Sequence, residues 1–157
     1  MSITKLPLPL SVLEASRERI NWTLNNLPRV CISFSGGKDS TVMLHLAAEQ
    51  ARQNGKKFSV LFIDWEAQFS YTITHCQKLR ARYSDVIETF YWVALPLTTQ
   101  NSLTQFNPEW QCWEPGAKWV RQPPEDAITD PDFFPFYEQG MSFELFVQKF
   151  ADWFSQQ

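Results

Sequence analysis

The sequence is poor in glycine and cysteine, with five and three in 157 residues. Cys31, Cys76 and Cys112 are far apart and form no CxxC pair, which excludes a disulfide framework, a zinc ribbon and an iron–sulfur site. No run approaches the roughly 18 apolar residues of a membrane span. The N-terminal MSITKLPLPL, with one lysine and two prolines interrupting a short apolar stretch, does not read as a secretory leader. These absences predict a cytoplasmic protein with reduced thiols and no membrane partner. Charge of either sign is also limited, at 14 Lys+Arg against 17 Asp+Glu. With an aromatic share of 15%, this excludes a mainly disordered chain.

The length suits one domain over residues 1–157, since domains run to roughly 100–200 residues. The small charge is unevenly distributed. Residues 1–62 hold eight bases and four acids, whereas residues 63–157 hold six and thirteen. A basic front half suits an anionic ligand, and the acidic remainder argues against direct nucleic-acid binding.

The hydrophobic pattern predicts alternating elements. Leu13, Ile20, Leu24 and Leu27 mark a helix over about 11–27, closed by Pro28. VCISF at 30–34 reads as a buried strand and runs directly into SGGKDS at 35–40. A helix follows, ending near Asn54-Gly55. FSVLFI at 58–63 is a second strand, 69–83 a helix, and 86–95 contains a third strand. Such alternation predicts parallel pairing, hence an α/β fold with a mainly parallel sheet covered on both faces in three α/β/α layers. From about 96 to 140 the chain becomes an excursion rich in proline and tryptophan, with the acidic run EDAITDPD at 125–132. Phe143, Phe146, Val147, Phe150, Trp153 and Phe154 then form one apolar face of a helix over about 142–155, capped by Ser142. That face must pack on the chain's own sheet or on a partner.

The chemistry concentrates in strand–SGGKDS–helix. Gly36 and Gly37 permit a sharp turn and a close approach of ligand to backbone. Their N–H groups, with those opening the helix, form an anion-binding concavity backed by the helix dipole. Ser35 and Ser40 add hydroxyls, and Lys38 adds positive charge where phosphates would sit. The loop is not a Walker A sequence, because Asp39 follows Gly37-Lys38. It is not a G-x-G-x-x-G fingerprint either, because the glycines are adjacent. Asp39 has three readings: orienting the loop, stabilising the helix start, or helping to hold Mg²⁺. Asp64 and Glu66, just past a strand end, are candidates for hydrogen-bonding ribose or holding Mg²⁺ through water. Arg121 and Lys118 are candidate phosphate or sulfate clamps, against a reading as solvated loop charges. Arg80 and Arg82 read as a solvated helix face. His45 and His75 read as structural, and Trp110, Trp113 and Trp119 as loop packing or a base-stacking set.

SFSGGKDS at 33–40 resembles the pyrophosphate-binding PP-loop of the adenine-nucleotide α-hydrolase-like (HUP-like) superfamily. FIDWEAQFSYT at 62–72, with Asp64 at a strand end and Phe69 at a position often aromatic, is similar to the phosphoadenosine phosphosulfate (PAPS) reductase branch. YWVALPLT, NPEWQCWEPG and KWVRQPP resemble PAPS-reductase-like proteins of enterobacteria and their phages, of the immunoglobulin-binding regulator A type. The resemblance implies ATP or PAPS bound through Ser35, Gly36, Gly37, Lys38, Asp39 and Ser40, with Asp64, Glu66 and Arg121 nearby. For an enzyme acting on ATP it implies α–β cleavage to an adenylate and pyrophosphate, with Lys38 and Asp39 as the catalytic pair and Mg²⁺ assisting. The alternative it implies is a regulatory protein of reduced catalytic power, acting with a ParB-like partner in gene regulation; a homo-oligomer is also allowed. Sulfate-reducing relatives carry a cysteine in an ECG motif. None occurs in these 157 residues, and neither QCW around Cys112 nor HCQ around Cys76 matches it, so the expectation is that this chain does not reduce sulfate.

Overall fold

The computed structural model describes residues 9–100, 106 and 108–157. The N-terminal stretch 1–8, and 101–105 and 107 of the proline-rich segment, lie outside the described residues. Three parallel strands, β1 (Cys31–Ser33), β2 (Phe58–Ile63) and β3 (Ile87–Val93), form a sheet in that order. Cys31 is opposite Ser59, and Leu61 is opposite Tyr91. All six residues of β2 are buried, as expected of a middle strand covered on both faces.

The twofold alternation of β2 separates two cores. Phe58, Val60 and Phe62 pack with residues of α1 (Val12–Asn26), α2 (Lys38–Asn54) and α3 (Ser70–Arg82). Leu61 and Ile63 pack on the other side with Cys112, Trp113, Phe134 and α4 (Phe143–Ser155). These are the α/β/α layers predicted from the pattern. Phe146, Phe150 and Phe154 are buried there, so the aromatic face of α4 covers the chain's own sheet.

Local chemistry fixes the element ends. α1 opens with a capping box in which Ser11 Oγ accepts from Glu14 N at 3.2 Å and Glu14 Oε2 accepts from Ser11 N at 2.8 Å. α2 closes on Gly55 at φ 61°, a left-handed position suited to glycine.

The excursion contains more regular structure than its composition predicts. β4 (Thr98–Gln100) and β5 (Glu109–Gln111) form an antiparallel ribbon. Three-residue strands give too little periodicity to identify. Farther on, Ile128 adds a parallel bridge to the β3 edge, donating to Trp92 O at 2.7 Å and accepting from Ala94 N at 2.9 Å. The segment thus returns to the same sheet beside the strand ends.

Candidate functional site

The Ser35–Ser40 loop lies where β1 turns into α2, at the carboxyl end of the strands. Gly36 has φ 74°, and a Cβ there would stand 2.8 Å from Thr72 Cγ2 and 3.0 Å from Cys76 Sγ. Glycine is therefore required both by conformation and by the close approach of α3. Gly37 caps α2 without a side chain, so the opening N–H groups of Lys38, Asp39 and Ser40 have no intrahelical acceptor. The serines brace the turn: Ser35 Oγ is 3.0 Å from Ser40 Oγ, and Ser40 Oγ donates to Gly37 O at 3.1 Å. Lys38 Nζ contacts the Asp39 carboxylate at 2.8 and 3.0 Å, with both side chains almost fully exposed. Such an exposed pair is worth at most about 1 kcal/mol, so either partner can turn to a ligand at little cost. A crevice of about 90 Å³ adjoins the loop, lined by Phe34, Ser35, Ile63, Trp65, Gln68 and Phe143 among others. It is much smaller than the roughly 300–1,000 Å³ of a whole small-molecule pocket.

Asp64 and Glu66 are close to this crevice but are committed to protein donors. Asp64 is completely buried. Its Oδ2 accepts from Trp92 Nε1 at 2.8 Å, and its Oδ1 accepts from Glu66 N at 3.0 Å and from the Arg121 guanidinium. Glu66, 5% exposed, accepts from Trp113 N at 2.7 Å and from Val120 N at 2.8 Å. Every oxygen of the two carboxylates accepts at least one N–H from the protein. Among the described residues, no group of three or more His, Cys, Asp or Glu side chains converges to hold a metal. Asp39 is the carboxylate that the loop leaves open to solvent.

The sequence thus brings together the loop residues, and separately Asp64, Glu66 and Arg121. Arg121 faces Asp64 and lies over the Trp113 ring at 5.1 Å, while Lys118 is exposed. Trp113 is buried and Trp119 packs edge-on against it at 5.4 Å, so these two serve loop packing. Trp110 is half-buried in β5, and Phe69 is exposed at the start of α3. His75 Nε2 is 3.0 Å from Thr41 Oγ1, and His45 Nδ1 contacts the Tyr83 hydroxyl, so both histidines join α2 to α3. Burial, followed by the charges of Arg82 and His75, lowers the His45 pKa. Arg80 differs from its reading as a solvated side chain: it pairs with Asp126 and lies over Phe90, tying α3 to the excursion.

Residues 29–119 match the phosphoadenosine phosphosulfate reductase domain family. The chain belongs to that family. It is 75% identical over 156 residues to the uncharacterized protein YbdN of Escherichia coli (strain K12), covering 99% of this chain and 38% of that relative. The chain thus spans about two-fifths of the curated relative it matches, and the ECG criterion bears on a whole protein rather than on this stretch.

Of the three thiols, Cys76 and Cys112 are buried and Cys31 is half-buried. Burial pushes Cys31 and Cys76 up to about 12 and Cys112 up to about 11. Cys112 Sγ lies 3.4 Å from the carbonyl oxygens of both Leu95 and Leu97 and is 1% exposed. A nucleophilic thiol needs the opposite conditions, a lowered pKa and access. Glu66, named from the sequence as a candidate ligand group, is a backbone acceptor for Trp113 and Val120 in the structure. Its function in the structure is signalled by no motif, because the partners that define it are 47 and 54 positions away.

Proposed function

We propose that the chain is a nucleotide-binding PP-loop domain that holds the phosphates of an adenine nucleotide, ATP or PAPS, in the Ser35–Ser40 loop. The observation that carries this reading is the loop's geometry. A left-handed Gly36 turns the chain, and the side-chain-free cap at Gly37 leaves the first N–H groups of α2 without intrahelical partners. Those donors, the dipole behind them and the mobile charge of Lys38 together form a receptor for phosphate oxygens. Membership in the PAPS reductase domain family supports the same ligand class. If ATP is turned over, the loop N–H groups and Lys38 are placed to stabilise charge on a leaving pyrophosphate, and the exposed Asp39 is the carboxylate to approach nucleotide-borne Mg²⁺.

A second reading is a regulatory domain that binds nucleotide without sulfur chemistry and acts with a ParB-like protein; its first half is supported by the thiols, with Cys76 and Cys112 buried, Cys31 half-buried and all three raised in pKa. The aromatic face of α4 does not contribute to that reading, since it is spent on the sheet. Isothermal titration with ATP, PAPS and adenosine 3′,5′-bisphosphate tests the first reading. Heat from at least one ligand, abolished or sharply weakened by Lys38→Ala, supports it; no heat from a folded sample overturns it. Pyrophosphate release from ATP then separates an enzyme from a binding domain.

A further inference from the structure

The segment from Trp113 to Arg121 is held down by one turn at the end of β2. Glu66 accepts the backbone N–H of Trp113 through one oxygen and that of Val120 through the other. Trp113 also donates its indole N–H to Asp64 O at 2.6 Å, and Arg121 pairs with the Asp64 carboxylate. The clasp is held under strain. Glu66 and Trp113 have φ 53° and 52°, a left-handed backbone that costs a non-glycine residue free energy and persists only when surrounding contacts enforce it. Arg121 Nε is buried and has no acceptor, so the guanidinium retains unused donor capacity.

The same turn reaches the candidate ligand site. Trp65, between the two carboxylates, lines the crevice with Phe34 and Ser35. Cys76 Sγ is packed beneath Gly36, 3.0 Å from where a Cβ on that glycine would stand. Movement of the segment therefore moves the Asp64–Trp65–Glu66 turn, and Trp65 of that turn forms part of the wall of the crevice that Ser35 also lines.

We propose that Glu66 is a positioning residue that fastens the Trp113–Arg121 segment as a strap over the strand ends, and that strap closure is coupled to occupation of the Ser35–Ser40 loop. The coupling rests on the nucleotide reading above. An anion in the loop stabilises the closed turn through the crevice wall that Trp65 shares with Ser35. Coupling between binding equilibria is reciprocal, so whatever factor the ligand adds to strap closure, closure adds to ligand affinity.

Hydrogen exchange of the Trp113 and Val120 amides is the test, because both are donated to Glu66. It is run on the wild-type chain alone and with saturating ATP, PAPS or adenosine 3′,5′-bisphosphate, with binding measured independently by titration calorimetry. The proposal expects exchange at both amides to slow by about tenfold with a ligand that binds, the size of a typical coupling. It also expects Glu66→Ala to weaken that ligand by a similar factor, and Glu66→Gln, which keeps one acceptor oxygen, to recover part of the loss. Binding without any change at the two amides overturns the coupling and leaves the nucleotide reading intact. Absence of binding overturns both. Reading the amides in the wild-type chain keeps the test independent of whether a Glu66 variant folds.

Discussion

Gly36 and Cys76 meet face to face: a Cβ on the glycine would stand 3.0 Å from the thiol sulfur, with Thr72 closer still at 2.8 Å. The loop that turns β1 into α2 is thus seated directly on α3, and its shape depends on that seat.

Gly36→Ala should therefore be costly twice over. It places a side chain at φ 74° and forces it into α3. A loss of about 1–3 kcal/mol of stability is expected, with loss of nucleotide binding. Gly37→Ala is the control, because Gly37 has φ −78° and the nearest atom to its added Cβ is Ser35 Oγ at 3.3 Å. It should cost less, about 0.5–1 kcal/mol, because alanine is a poorer N-cap than glycine and Ser35 Oγ must shift slightly. Urea unfolding midpoints distinguish the two; equal losses would contradict the α3 seat.

Arg121→Ala should destabilise the chain by about 3–5 kcal/mol, because it leaves the completely buried Asp64 without its cationic partner. Replacing both residues, Asp64→Asn with Arg121→Leu, should cost much less than Arg121→Ala alone. Thermal unfolding of the three proteins checks this. An Arg121→Ala protein as stable as the parent would show that the pair is not a stabilising contact.

The buried thiols predict an alkaline limit. An ordinary thiol ionises near 9, whereas burial holds Cys31 and Cys76 at about 12 and Cys112 at about 11. Between those values the unfolded chain binds fewer protons than the folded one, so stability contributed by the neutral thiols is intact below pH 9 and falls as pH rises toward 11–12. Denaturant titrations from pH 8 to 11 should show that decline, smaller in Cys112→Ala, once the direct cost of the substitution is subtracted. At pH 8 the three thiols should react slowly with a thiol-specific reagent until denaturant is added.

The sheet and its helices were legible in the sequence because burial imposes a period. β2 is buried on both faces and reads as an unbroken apolar run, FSVLFI. The Ser35–Ser40 turn between β1 and α2 was equally legible, since it is contiguous over six residues. The clasp was not. Asp64 and Glu66 carry the appearance of ligand groups at a strand end, yet their partners lie in the proline-rich segment, and nothing local to either carboxylate announces Trp113, Val120 or Arg121. Arg80 was misread for the same reason, because Asp126 is distant in sequence. The β4–β5 ribbon was missed because three-residue strands have no measurable period.

The most direct test of the central claim is calorimetric titration of the parent and Lys38→Ala proteins with ATP and PAPS. Lys38 is almost fully exposed, so its removal should leave the unfolding midpoint unchanged. The account predicts saturable binding of at least one ligand by the parent and an affinity at least about tenfold lower in the variant, the loss expected for one charge-assisted phosphate contact. Equal affinity in both proteins, or no binding by a folded parent, would contradict it.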